Sequence, residues 1–332
     1  DLPHGKYYIQ EVEHKPGYLP NDEVCSFDAS YTDQTLELLA FSEEISNQPT
    51  ITEFTKVDLT GGQEIEGAKM QILDQEGKVV EEWVSKKEAH VVYALAPGEY
   101  ILHEEQAPTE QGYVRAEDVK FVVEETGDVQ KVKMEDDHTK VSISKTDITD
   151  GKEIEGAKLQ ILDQDGEVVE SWTTGEEHLI EYLPVGTYTL HEEAAVDGYI
   201  VANDVEFTVE ETGEIQKVKM EDERAMGQLV IVKTDTDSKA ALEGVEFVLL
   251  EKETGKEVGR LKTGKDGKAV SELLPIGTYE NGVFKEPITY VLKETATLKG
   301  YEKTEEEWEI VFTYQNDKTP VIEVVKEIQN KK

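Results

Sequence analysis

A chain of 332 residues is long enough to hold several domains. Its 73 acidic and 34 basic side chains give a formal net charge of -39, which excludes nucleic acid and an anionic membrane surface as partners, since both need a basic footprint. Hydrophobic residues at 37% with 14 tyrosines suffice for small cores, and the single cysteine, Cys25, rules out an internal disulfide and reads as a packed thiol.

In chain order, LPHGKYYIQEVEHKPGY at 2–18 aligns with LPVGTYTLHEEAAVDGY at 183–199, so residues 1–52 read as the second half of a repeat whose first half lies upstream. The next copy spans 53–140 and opens on KVDLTGGQEIEGAKMQILDQEG (56–77). A third, at 141–226, opens on KTDITDGKEIEGAKLQILDQDG (145–166), offset by 89 positions. The last, at 227–332, is more diverged: it opens at Lys233 and carries an insertion near 280–289 before YVLKET. Within each copy, short alternating runs rich in Val, Ile, Thr and Tyr are separated by turn signals such as Gly61-Gly62 and Pro97-Gly98. Such spacing predicts an all-β chain of tandem antiparallel β-sandwich domains, with linkers short enough for a semi-rigid rod. No segment approaches the roughly 18 apolar residues of a membrane span.

Alternation exposes an energetic anomaly. Side chains two apart on a strand share a face. Val141 and Ile143 therefore point with Lys145, Tyr188 and Leu190 with Glu192, and Val218 and Met220 with Asp222. The preceding copy repeats the trio as Lys56, Glu104 and Asp136. In the last copy Leu229 and Ile231 share a face with Lys233, Tyr290 and Leu292 with Glu294, and Ile328 with Asn330, although Asn316 and Asp317 compete as its third member. The opening half-copy keeps only Glu11 and Asn47. Charges facing a small core must pair, become neutral or react. Two readings stand: a buried Lys–Asp ion pair with a nearby Glu, or attack of a neutral amine on the Asp or Asn carbonyl, with a neutral Glu relaying protons. The second requires that first and last strands be neighbours.

These segments, together with the Gly-Ala pairs at 67–68 and 156–157 and the Tyr-x-x-x-Glu box, resemble the collagen-adhesin B-type domain, also called the SpaA-like or prealbumin-like pilin domain, of Gram-positive surface proteins. The resemblance covers essentially the whole chain. It implies intramolecular isopeptide bonds Lys56–Asp136, Lys145–Asp222 and Lys233–Asn330, with Glu104, Glu192 and Glu294 as catalysts. Glu11 would be the catalyst and Asn47 an orphan acceptor in the truncated copy. It further implies an extracellular stalk segment of an adhesin or pilin-like protein, anchored to the cell wall through a signal beyond this sequence. A host matrix protein or glycan would then be bound by missing N-terminal regions or, as the alternative, by these domains themselves.

Other patterns carry less. His103-Glu104 and His191-Glu192 alternate across a strand, so each His faces away from its Glu, and no metal or cofactor site is expected. Asp74/Gly77 and Asp163/Gly166 lack the distal Glu of a calcium loop and read as β-turns. LPVGT (183–187) and LPIGT (274–278) invert the Thr-Gly order of a sortase signal and read as turns. Trp83 and Trp172 read as strand packing. An enzyme using paired carboxylates would need an open cleft, whereas parity puts one acid per strand inside a narrow core.

Overall fold

The structure, a computed structural model, describes residues 2–30 and 40–332. It separates into two compact units: Asp1–Thr139 with Glu181–Val185 and Glu210–Glu214, and Lys140–Ile180 with Gly186–Val209 and Ile215–Lys332. No helix among the described residues is long and apolar enough to cross a membrane.

In the first unit, Lys6–Ile9 and Cys25–Asp28 form an antiparallel pair, with Tyr7 and Phe27 stacked at 5.4 Å. Cys25 is half-buried, and burial pushes its thiol up, away from the reactive thiolate. Residues 51–138 build two four-stranded sheets. One places Ile51–Asp58 between His90–Tyr93 and Val129–His138, with Tyr113–Val114 at the edge; the other runs Val79–Val84, Lys69–Leu73, Gly98–Gln106, Val119–Val123. Alternation buries Phe54, Met70, Ile72, Leu102 and Met134 between the sheets. Trp83 packs its ring against Phe54 at 5.5 Å and stacks on His90 at 4.2 Å.

The second unit contains the same pair of sheets in residues 140–224. One is built on Lys140–Asp147 beside Ile215–Arg224, the other on Lys158–Leu162 beside Gly186–Ala194. It also contains a larger core at 226–330, centred on Leu229, Phe247, Leu292, Ile310 and Phe312. Gly227 lies against the Phe312 ring, where a Cβ would fall 2.2 Å from a ring carbon, so no larger residue fits. The insertion forms its own hairpin, Gly277–Glu280 with Val283–Pro287. Leu274–Pro275, expected as a turn, forms a two-residue strand on Met226–Gly227.

One pairing departs from the antiparallel rule in each copy. The first and last strands are neighbours, as the crosslinking scheme requires, and they run parallel: Ile51–Asp58 with Val129–His138, Lys140–Asp147 with Ile215–Arg224, and Met226–Asp235 with Val321–Asn330. Parallel neighbours need a long crossover between them, and here the rest of the domain is that crossover. Their apolar faces close the core with both strands pointing the same way.

Candidate functional site: a buried lysine beside two acceptors

Parallel register determines the site. Lys56 lies opposite Met134, and Asp58 opposite Asp136. The lysine therefore reaches diagonally, two residues along the neighbouring strand, to the Asp136 carboxyl, with which its Nζ is in direct contact. From the facing sheet, Glu104 brings Oε2 to 3.0 Å from the same nitrogen. All three side chains are essentially removed from solvent. Glu104 is oriented by the Ala116 backbone N–H, which donates to Oε2 at 2.8 Å.

The next copy repeats the geometry. Lys145 Nζ contacts Asp222 and lies 3.0 Å from Glu192 Oε2, which accepts the Ala202 N–H at 2.6 Å. In both copies the second oxygens of the two acids, Glu104 Oε1 with Asp136 Oδ2 and Glu192 Oε1 with Asp222 Oδ2, are buried without another partner. A proton on Asp136 or Asp222 would supply the missing donor. Burial and the neighbouring glutamate outweigh the lysine's pull and raise both aspartates to about 7. The acceptor acid is thus kept largely protonated where a free aspartate would be ionised.

The third full copy has an amide in that place. Lys233 Nζ contacts Asn330 Oδ1 and donates to Glu294 Oε2 at 2.9 Å. Asn330 Nδ2 donates to Glu294 Oε1 and to Thr297 Oγ1, both at 2.7 Å. Desolvation pushes the Lys233 amine down, towards its neutral form, despite the opposing glutamate. Asn316 is turned away: its Oδ1 accepts the Lys318 N–H at 2.9 Å in an exposed turn. Asp317 lies in the same turn, and only Asn330 reaches Lys233. In the opening segment Glu11 and Asn47 do meet, Asn47 Nδ2 donating to both Glu11 oxygens at 2.8 Å.

An amine against a carboxyl or a carboxamide, with a glutamate bridging both, is placed for nucleophilic attack at the carbonyl carbon and for carrying protons between amine and leaving group. The remaining sequence candidates lie elsewhere. His103 and His191 point outward to Asp118 and Asp204, each at 2.7 Å. Asp74 and Asp163 accept main-chain N–H groups of their own turns.

Two kinds of residue escaped the sequence reading. Thr297 was invisible, because nothing in its own segment marks it. Asp58, Asp147 and Asp235, each two residues after a trio lysine, carry no role in the sequence reading; each is buried one step beyond the lysine on its face.

The family model for the SpaA prealbumin-like fold domain matches residues 50–138, 139–224 and 227–287. The chain belongs to this family of prealbumin-like domains, in tandem copies. Among solved structures, the TIE protein of Bacillus anthracis is similar at 28% identity with a TM-score of 0.56, covering 85% of this chain; the chain spans about half of that protein, 51%. BcpA, the major pilin subunit of Bacillus cereus, matches at 15% identity and TM-score 0.48, over 85% of this chain and 99% of its own. The major pilin SpaD of Corynebacterium diphtheriae matches at 16% and 0.38, over 85% and 97%. No curated protein gave a significant match.

Proposed function

We propose that the chain is a stalk segment of a Gram-positive surface protein whose domains, 53–140, 141–226 and 227–332, each close an isopeptide bond between first and last strand. The observation that carries this reading is the threefold recurrence of a fully buried lysine touching an Asp or Asn side chain and a glutamate. An ion pair alone explains it poorly, since burying two charges costs more than their attraction returns unless every lone pair is satisfied. In the third copy the acceptor is an amide, and Glu294 alone of the trio can carry the opposing charge.

The reaction balances within the trio. Lys Nζ attacks Cγ of the acceptor, and the new Nζ–Cγ bond replaces the Cγ–O bond of Asp136 or Asp222, or the Cγ–N bond of Asn330. Glu104, Glu192 or Glu294 takes a proton from the amine and passes it to the departing group, which leaves as water from the aspartates and as ammonia from Asn330. Each site turns over once, so the chain is a self-modifying structural protein and not an enzyme acting on substrates. Such bonds let tension on the termini bear on covalent linkage, a way for an extracellular chain with one cysteine to resist shear.

Intact mass tests the reading. The expected mass is that of the sequence less two waters and one ammonia. The full uncrosslinked mass would refute the proposal. Glu11 and Asn47 contribute no loss, since no lysine is bonded to them among the described residues.

A further inference from the structure

Beside each buried trio lies a second, differently built acid. Asp58 Oδ1 accepts the N–H groups of Thr60 and Gly61 at 2.7 and 2.6 Å and the Thr60 hydroxyl at 2.6 Å, while Oδ2 accepts the Tyr182 hydroxyl at 2.8 Å. Asp147 Oδ1 accepts the Thr149 N–H at 2.7 Å; its Oδ2 accepts Tyr199 OH at 2.7 Å and Arg224 Nε at 2.6 Å. Asp235 Oδ1 accepts the N–H groups of Asp237 and Ser238 at 3.0 and 2.7 Å and the Ser238 hydroxyl at 2.8 Å, and its Oδ2 accepts Tyr301 OH at 2.9 Å. The pattern is constant: one oxygen gathers the turn that follows, the other takes a tyrosine hydroxyl. Asp58, Asp147 and Asp235 are each held below the usual carboxylate range, because these donors outweigh burial.

Each of these acids is the register partner of an acceptor: Asp58 of Asp136, Asp147 of Asp222, Asp235 of Asn330. The residue after it donates its backbone N–H to the acceptor's own carbonyl, Leu59 to Asp136 at 2.9 Å, Ile148 to Asp222 at 3.1 Å and Thr236 to Asn330 at 3.0 Å. In the last two copies the tyrosine's own segment is bonded to the chain just past the acceptor. Tyr199 pairs with Arg224, and the Glu302 N–H reaches the Lys331 carbonyl at 2.8 Å. Opening strand, tyrosine segment and closing strand thus meet at one carboxylate.

We propose that Asp58, Asp147 and Asp235, each clamped between its turn and a tyrosine hydroxyl, are positioning residues that hold the facing acceptor within reach of the lysine amine. The inference rests on the crosslink reading above. No hydrogen bond joins these acids to the amine or to the acceptor's side chain. They act through the acceptor's backbone, at the point where a strand end would otherwise fray. A displacement of about 1 Å in a reacting group can slow a step about 100-fold, so loosening one clamp is expected to slow one bond by about tenfold or more while sparing the others.

The test follows full-length chain made by cell-free synthesis and sampled over time, with protease digestion and mass spectrometry of the peptide joining Lys233 to Asn330. Tyr301→Phe removes one hydroxyl and keeps the ring; Asp235→Asn removes the charge. Both are expected to slow the Lys233–Asn330 bond about tenfold or more, while Lys145–Asp222 in the same molecules forms at its normal rate. Circular dichroism of Tyr301→Phe in a Lys233→Ala background, where no bond forms, is expected to match Lys233→Ala alone, so that slower bonding is separated from misfolding. Normal rates in Tyr301→Phe overturn the positioning role even if Asp235→Asn fails to fold. If the unsubstituted chain yields no joined peptide, the crosslink reading itself fails, and the positioning role with it.

Discussion

At the scale of single residues, the chain sets two kinds of buried acid directly opposite each other on adjacent strands. Asp136 and Asp222 are protonated up to about pH 7 because burial dominates, whereas Asp58 and Asp147 stay ionised because hydrogen-bond donors dominate. A carboxylate is a poor electrophile and a carboxylic acid a better one. Bond formation at Lys56–Asp136 and Lys145–Asp222 is therefore expected to fall as pH rises through about 7. Asn330 does not titrate, so formation at Lys233–Asn330 is expected to hold or rise over the same range; joined-peptide yields against pH check this, and parallel profiles would refute it. Before the bonds close, the sign for stability follows from the same shift. The folded chain keeps a proton that an unfolded aspartate, at 3.8, has released. The stabilising contribution is full below about pH 4 and is lost as pH rises to about 7, read by denaturant midpoints of Glu104→Gln chain across that window.

At the scale of elements, the proposed amide joins parallel first and last strands and is therefore a staple across nearly the whole domain. The partners are 80, 77 and 97 positions apart. By analogy with a disulfide closing loops of that size, the entropy removed from the unfolded chain is worth about 4–5 kcal/mol per domain. Glu192→Gln keeps shape but removes the proton carrier, so that domain is expected to stay uncrosslinked and melt about 16–40 °C lower, taking about 4–8 °C per kcal/mol for domains near this size. Calorimetry with mass spectrometry on the same sample checks both. Much at this scale was legible from sequence. Period-2 alternation placed Lys145 with Ile143, Glu192 with Leu190 and Asp222 with Met220, because strand parity depends only on the chain itself. The direction of the first-to-last pairing was not legible, since it depends on which way the crossover returns. The rivalry of Asn316 and Asn330 was likewise undecided until the turn at Asn316–Thr319 took the former out of reach.

At the scale of the molecule, the insertion that sequence comparison marks only as extra length acts within the second unit as a tie between copies. Tyr279 donates its hydroxyl to the Gly198 carbonyl at 2.8 Å, packs edge-on against Tyr199 at 5.2 Å and lies under the Arg224 guanidinium at 4.1 Å. Gly198, at φ +90°, makes the turn that presents this carbonyl, and a Cβ there would strike the Phe284 ring at 2.8 Å. Tyr279→Ala is expected to cost about 2–4 kcal/mol and to uncouple the two copies, seen as separate calorimetric transitions where the unsubstituted chain shows a joined one. A single unchanged transition would refute it.

The sequence by itself determined the all-β class, the tandem copies, the lysine and glutamate of each buried trio and the aspartates of the first two, because repetition and alternation are properties of one strand read alone. Only the tertiary structure decided the parallel ladder that brings Lys56 diagonally to Asp136, the contact of Lys233 with Asn330, and the pairing of Asp147 with Tyr199 or Asp235 with Tyr301. Those contacts join segments tens of residues apart, and their geometry is set by how two sheets close over a common core, which no local pattern encodes.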